Sequence, residues 1–330
     1  MAQMTVDEIS ALATRTLTAQ GCDEANAAAM ARTMTSAEAD GAASHGLFRL
    51  PAYVKGLREG GANGTADPQV SRPAPGIVRV DGQSGYAPLA LERCYDPLIE
   101  AAKSQGIALA GLTRIRHFAA LWPEVERLAE AGLVGIAMTQ ALPYVAPAGG
   151  REALFGTNPM AFAFPRPEGP PLAFDQAASL LARGEVMIAA RDGHAVPGGA
   201  GLDAKGNPTT DPQAILDGGV QLAFGGYKGS AIALMIELMA GPLIGEVFSF
   251  EAKEGAVPGT PALGGEVLIA IDPSRSAGGG DWRAHGNRIL ERIEGMEGAR
   301  LPGARRHANR AKGGKVEVSD KVLEAIAALG

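Results

Sequence analysis

The chain has 330 residues, of which 46% are hydrophobic and 20% charged, and its formal net charge is −6. This length predicts a large core folded as two or three lobes rather than a modular array. The acidic balance excludes a general nucleic-acid surface, and no apolar run is long enough to cross a bilayer.

In chain order, MAQMTVDEIS lacks the basic flank and apolar stretch of a signal peptide, so the expected location is the cytoplasm. Thr5 and Glu8 form a capping box, and the apolar spacing Ile9, Leu12, Leu17 predicts a first helix that stops at Gly21. Asp23 caps a second, alanine-rich helix to about Asp40, ended by Gly41. Just beyond lies SHGLFRLPAY, Ser44 to Tyr53, with one of only five histidines beside a serine and four residues before Arg49. A helix end with a solvated arginine would also give this pattern. Ile77 to Val80 reads as a strand, Ala90 to Gln105 as a helix and IALAGLT as a strand. Ala119 to Ala131 is expected to be a helix, followed by LVGIAMT, MAFAFP and EVMIAA as three strands. Leu222 to Leu243 contains a long apolar helix after GGYKGS, EVLIAID is a strand, and Val316 to Leu329 is expected to close the chain as one helix.

The alternation of strands and helices invites a dinucleotide-binding reading. The near match to G-x-G-x-x-G/A at Gly199 to Ala204 runs into KGNPTTDP, which cannot start a helix, so a phosphate loop there is rejected. Metal binding is not expected: HExxH, paired cysteine spacing and an acidic calcium loop are all missing, and Cys22 and Cys94 read as buried thiols. Forty-five glycines and 22 prolines point instead to many tight turns around a loop-rich site. Candidate pieces of such a site are His117 between a strand and a helix, the GTNP turn at 156–159, Asp175 at a strand end in FDQAAS, and the Arg183-Gly184-Glu185 turn. GGYKGS adds Lys228 at a glycine-rich helix entry, and the one strongly basic run is ARLPGARRHANRAK.

Taken in order, SHGLFRLPAY, VDGQSGYA, HFAALWP, VAPAGG, LFGTNP, FDQAAS, TTDP and GGYKGS resemble the malate/L-lactate dehydrogenase-like oxidoreductases over about residues 5 to 312. Within that family RHFAALWP, LARGEV, FSFE and LPGARRH are most similar to the Δ1-piperideine-2-carboxylate/Δ1-pyrroline-2-carboxylate reductases. The resemblance implies an α/β, non-Rossmann fold with a mixed-sheet cofactor domain flanked by a helical N-terminal region. It divides the chain into 1–112, joined by 286–330, and a cofactor domain at 113–285, and it implies a homodimer. It casts His45 as proton donor, Ser44 as its polar partner and Arg49 as the cation for the substrate carboxylate, with Thr157, Arg183 and Gly184 completing the pocket. The cofactor would be held by His117, Phe118, Ala119, Ala120 and Leu121, by Asp175, Gln176 and Ala177, and by Gly226 and Lys228. The segment Leu301, Pro302, Gly303, Ala304, Arg305, Arg306, His307 completes that set.

Arg305 and Arg306 could pair a 2′-phosphate bidentately, which favours NADPH over NADH. Glu185 stands where hydroxy-acid members commonly carry lysine. A carboxylate there would stabilise an iminium cation, so a cyclic imino acid is the expected substrate and Glu185 joins the catalytic set. The competing expectations are a 2-hydroxy-acid dehydrogenase and a ligand-binding protein that has lost turnover.

Overall fold

The computed structural model describes residues 1–116, 120–254 and 256–330. His117, Phe118 and Ala119 therefore lie outside the described residues. Strand β1 (Ala2–Thr5) leads into α1 (Val6–Ala19), where the Thr5 and Glu8 capping box forms as the sequence predicts. In α2 (Glu24–Ala39) the Asp23 carboxylate accepts from the Asn26 N–H at 2.8 Å. Two short 3₁₀ turns, Ala43–His45 and Leu47–Arg49, then carry the chain into α3 (Leu50–Arg58).

Next come β2 (Gln69–Ala74), β3 (Ile77–Asp81), α4 (Ala87–Gln105), β4 (Ile107–Arg116), α5 (Trp122–Glu130) and β5 (Val134–Thr139). After the short β6 (Val145–Ala146) follow β7 (Met160–Phe164), β8 (Leu172–Gln176) and α6 (Arg183–Asp192). Two-residue strands β9 (Gly201–Leu202) and β10 (Pro208–Thr209), α7 (Pro212–Leu216) and β11 (Val220–Leu222) precede α8 (Tyr227–Ala240). The chain ends through α9 (Ser249–Ala252), β12 (Leu263–Ile271), α10 (Pro273–Ser276), α11 (Trp282–Glu294), α12 (Ala304–Lys312), β13 (Lys315–Val318) and α13 (Asp320–Ala327).

The main sheet runs β2-β3-β4-β12-β5-β7-β8 and is mixed: β3 pairs with β4 in parallel, and its other neighbours are antiparallel. A smaller sheet of order β10-β9-β11-β6 stands apart from it, and β1 pairs with β13. One continuous apolar core joins the N-terminal helices to the sheet, with Ile9, Met30, Leu50, Leu98, Leu112 and Leu268 all buried in it. The expected divisions after 112 and 285 fall inside β4 and α11. Among the described residues no helix is long and apolar enough to cross a membrane.

Two segments differ from expectation. EVMIAA is not a strand but the body of helix α6, because a short apolar run has no period that separates the two structures. Val186 and Ala189, three apart, are its buried face; the Glu185 carboxylate accepts from the Ala182 N–H at 2.9 Å at one end, and Gly193 (φ +74°) closes the other. Val316 to Leu329 is not one helix, since Lys315–Val318 is drawn into pairing with Ala2–Thr5, an edge that only tertiary structure supplies.

Candidate active site

Side chains from five parts of the chain surround a cleft of about 940 Å³. His45 and Arg49 come from the 3₁₀ turns, Thr157 from the loop before β7, and Asp175, Gln176 and Ala177 from the end of β8 and just after it. Arg183 and Glu185 come from the first turn of α6, and Thr260 to Ala262 from the approach to β12. Ala120 also lines it, while Leu121 is buried just behind.

The Ser44 hydroxyl lies 2.9 Å from His45 Nδ1, and the imidazole packs edge-on against Trp122, ring centroids 6.1 Å apart. Arg49 is anchored by Nε, which donates to the Ser44 carbonyl at 2.9 Å, leaving the far end of the guanidinium directed past Gly184. A Cβ on Gly184 would stand 2.9 Å from Arg49 Nη2, so the glycine expected in the pocket is what allows this approach. Arg183 lies over the Tyr144 ring, 4.2 Å from its centroid, and Nη1 donates to the buried Gln221 Oε1 at 3.4 Å. Gln221 in turn donates to the Leu181 carbonyl at 2.8 Å. Tyr144 and Gln221 thus set the orientation of a cation in the cleft, and neither carries a local sequence signal.

Glu185 is exposed in the cleft wall, with one oxygen committed to capping α6. Arg183 and Gly184 are therefore the first residues of a helix rather than an isolated turn. Asp175 accepts from the Leu121 N–H at 3.2 Å; burial pushes its carboxyl up, partly offset by the Arg306 guanidinium. A half-buried carboxyl of raised affinity for protons, lining the cleft, is a candidate proton carrier that the sequence reading assigned to the cofactor alone. Asn158 of the GTNP turn is fully buried at φ +37° and bonds Ala233, Glu237 and Ala141, which makes it a structural residue.

Among the described residues, the expected cofactor residues at the start of α8 and in the 301–307 segment lie outside the cleft lining. Gly226 and Lys228 are exposed at the start of α8, though nearby Phe224 does line the cleft. Leu301 is buried, Pro302 and Ala304 are exposed, and Gly303 precedes α12. Arg306 donates to the Ala173 carbonyl at 2.8 Å and stacks on Trp122 at 4.7 Å, and His307 lies 3.0 Å from the Pro171 carbonyl. Arg305 is exposed.

A mixed sheet with a cleft between its strand ends and an N-terminal helical layer, lacking a glycine fingerprint, defines an α/β enzyme of non-Rossmann type. The profile of the malate/L-lactate dehydrogenase family matches residues 4–327, and the chain belongs to that family. It is 46% identical to the Δ1-pyrroline-2-carboxylate/Δ1-piperideine-2-carboxylate reductase of Pseudomonas aeruginosa, covering 94% of each chain. It is 45% identical to the Δ1-pyrroline-2-carboxylate reductase of Pseudomonas fluorescens, over 94% of this chain and 92% of that one. The crystal structure of Δ1-piperideine-2-carboxylate reductase from Pseudomonas syringae pathovar tomato matches with a TM-score of 0.94 and 40% identity, over 100% of both chains.

Proposed function

We propose that this protein is an NADPH-dependent imine reductase that converts Δ1-pyrroline-2-carboxylate, its six-membered homologue Δ1-piperideine-2-carboxylate, or both to L-proline and L-pipecolate. The observation that carries this reading is one cleft holding two guanidiniums, Arg49 and Arg183, beside His45 and the carboxylate of Glu185. Two cations suit a substrate carboxylate, and an acid suits a protonated ring nitrogen. The names of the relatives support the same substrate class.

A cleft of about 940 Å³ lies at the upper end of small-molecule sites, which gives room for a dinucleotide beside a small acid. The residues fit a nicotinamide cofactor, with Ala120, Asp175, Gln176 and Ala177 as the wall that would hold it. When bound, the reduced cofactor supplies hydride to the ring carbon that bears the carboxylate. Arg49 and Arg183 hold that carboxylate, and Thr157 closes the pocket beside it. Glu185 keeps the nitrogen cationic, while His45, oriented by Ser44, or Asp175 maintains its proton. In this reading 1–112 with 286–330 brings the substrate groups His45 and Arg49, and 113–285 brings the cofactor wall. Exposed Arg305, with Lys228 and the turn at Gly226, would serve the distal end of the cofactor.

A homodimer belongs to the same proposal. Helix α8 leaves Tyr227, Leu234 and Leu238 exposed at 72%, 48% and 50%, an apolar face suited to a second copy. Two free, buried thiols agree with a cytoplasmic setting.

The deciding experiment follows loss of NADPH absorbance with each of the two cyclic imines, with pyruvate and oxaloacetate as controls and NADH as the alternative cofactor. Turnover confined to the imines is expected. Turnover confined to the 2-oxo acids would replace this reading with a hydroxy-acid dehydrogenase, and equal kcat/KM with NADH would remove the NADPH preference.

A further inference from the structure

The strip that carries His45 and Arg49 has little secondary structure of its own. It is two 3₁₀ turns broken at Gly46, so the Leu47 N–H begins the second turn with no helical acceptor behind it. That N–H donates instead to Glu38 Oε1 at 2.7 Å. Glu38 stands on the last turn of α2, is only 4% exposed, and reaches up beneath the strip from the core side. The fit is close at the next residue too: a Cβ on Gly46 would lie 2.2 Å from Glu38 Oε1 and 2.6 Å from its Cγ. The carboxyl and the Gly46-Leu47 peptide are therefore packed as one unit, with His45 next to Gly46 on one side and Arg49 two residues past Leu47 on the other.

We propose that Glu38 is a positioning residue for imine reduction: as the acceptor for Leu47 N–H it fixes the Gly46-Leu47 peptide, and so the separation of the His45 imidazole from the Arg49 guanidinium. The proposal rests on the roles given above to those two side chains. Burial pushes the Glu38 carboxyl up to about 7, against the opposing pull of the Leu47 bond. A carboxyl keeps an acceptor oxygen whether or not it carries a proton, so the hydrogen bond and not the charge is what the strip requires.

The test compares Glu38→Gln, which retains the acceptor, with Glu38→Leu, which fills the space without one. Melting temperatures establish that both fold. Steady-state kinetics with Δ1-pyrroline-2-carboxylate, NADPH affinity by fluorescence, and hydrogen exchange of the peptide spanning residues 43–50 are then measured. Because displacement of reacting groups by about 1 Å can cost roughly 100-fold, Glu38→Leu is expected to lose about 10- to 100-fold in kcat/KM. The loss should appear in both terms, kcat through His45 and KM through Arg49, with NADPH affinity unchanged and exchange at 43–50 accelerated. Glu38→Gln should stay within about threefold of the parent, as the conservative rescue requires.

A folded Glu38→Leu variant with parental kinetics overturns the proposal, as does unchanged exchange at 43–50. Equal damage in both variants overturns the acceptor role in favour of charge. Exchange reads the contact without substrate, so failure of the contact is distinguishable from failure of the site reading. Parental turnover in His45→Ala and Arg49→Met would sink the latter, and the positioning claim with it.

Discussion

Replacing Arg310 with alanine removes two of the three hydrogen-bond donors that the described residues offer to a fully buried carboxylate. Asp40 is 0% exposed and accepts from Arg310 Nε at 2.7 Å, Arg310 Nη2 at 2.6 Å and Trp122 Nε1 at 2.8 Å, while Arg310 Nη1 also reaches Glu126 at 2.9 Å. Breaking a buried pair from one side costs about 3–5 kcal/mol, because the remaining charge loses its compensation. The Arg310 side chain is 38% exposed, so solvent already screens part of the interaction and can enter the vacated space, which brings the expected loss to about 2–3 kcal/mol. With an unfolding entropy of roughly 2.1 cal/mol/K per residue over 330 residues, that loss lowers Tm by about 3–4 °C. Differential scanning calorimetry at pH 7 measures it, and adding Asp40→Asn in the same chain should recover part of the loss by removing the stranded charge. Because Trp122 packs edge-on against His45, kcat should also fall several-fold. A melting temperature within 1 °C of the parent, with parental kcat, would refute the view that this network supports both fold and site.

Glu185→Gln keeps an acceptor for the Ala182 N–H and removes only the charge, so Tm should hold while imine kcat/KM falls about sixfold; Glu185→Lys reverses the charge and should cost about 30-fold, on the basis of about 1 kcal/mol per unit charge for charges taken as about 8 Å apart at an effective dielectric near 40, which suits an exposed carboxylate. Equal imine kinetics in the parent and the lysine variant would eliminate the electrostatic role. Glu266 and Glu124 are buried carboxyls, both raised chiefly by burial, Glu124 further by the neighbouring Glu266. A carboxyl whose folded pKa is raised binds more protons when folded, so its contribution to stability is full below its ordinary value of 4.5 and is lost as pH rises through the raised folded value. The Tm of the parent should therefore fall, relative to Glu266→Gln, between pH 5 and pH 9; parallel curves would contradict the assignment.

The parts of this structure legible in the sequence are those whose signals are local. Thr5 with Glu8 and Asp23 before an alanine-rich run mark helix starts because capping is an interaction over three residues. His45, Arg49, Thr157, Asp175 and Arg183 stand within ordered motifs, and the structure brings all five to one cleft. EVMIAA was ambiguous because five apolar residues in a row fit a strand as well as a helix, and β13 was hidden because its partner lies at the other end of the chain. Tyr144, Gln221 and Glu38 were illegible for a related reason. Each acts on a charged or backbone group remote in sequence or across a break in secondary structure, and a lone tyrosine, glutamine or glutamate carries no spacing that reveals such a partner.

The basic run near the C-terminus illustrates how the same charges serve a different purpose from the one their composition suggests. In a chain of net charge −6, ARLPGARRHANRAK reads as a clamp for an external phosphate. Its second half folds as α12, and three of its side chains turn toward the fold: Arg306 to the Ala173 carbonyl and the Trp122 face, His307 to the Pro171 carbonyl, and Arg310 to Asp40 and Glu126. Two acids, Asp175 and Asp40, are thereby each countered by a guanidinium from one helix, with Trp122 in contact with one arginine and bonded to the acid that the other pairs. Trp122 meets His45, so α12 bears on the reacting end of the cleft although none of its residues lines it. Of the two arginines considered for a 2′-phosphate, Arg306 is held by these interior contacts and Arg305 alone is fully on the surface. Under the proposed NADPH reading, discrimination through this segment would fall to Arg305, and removal of Arg306 would act first on the environment of Asp175.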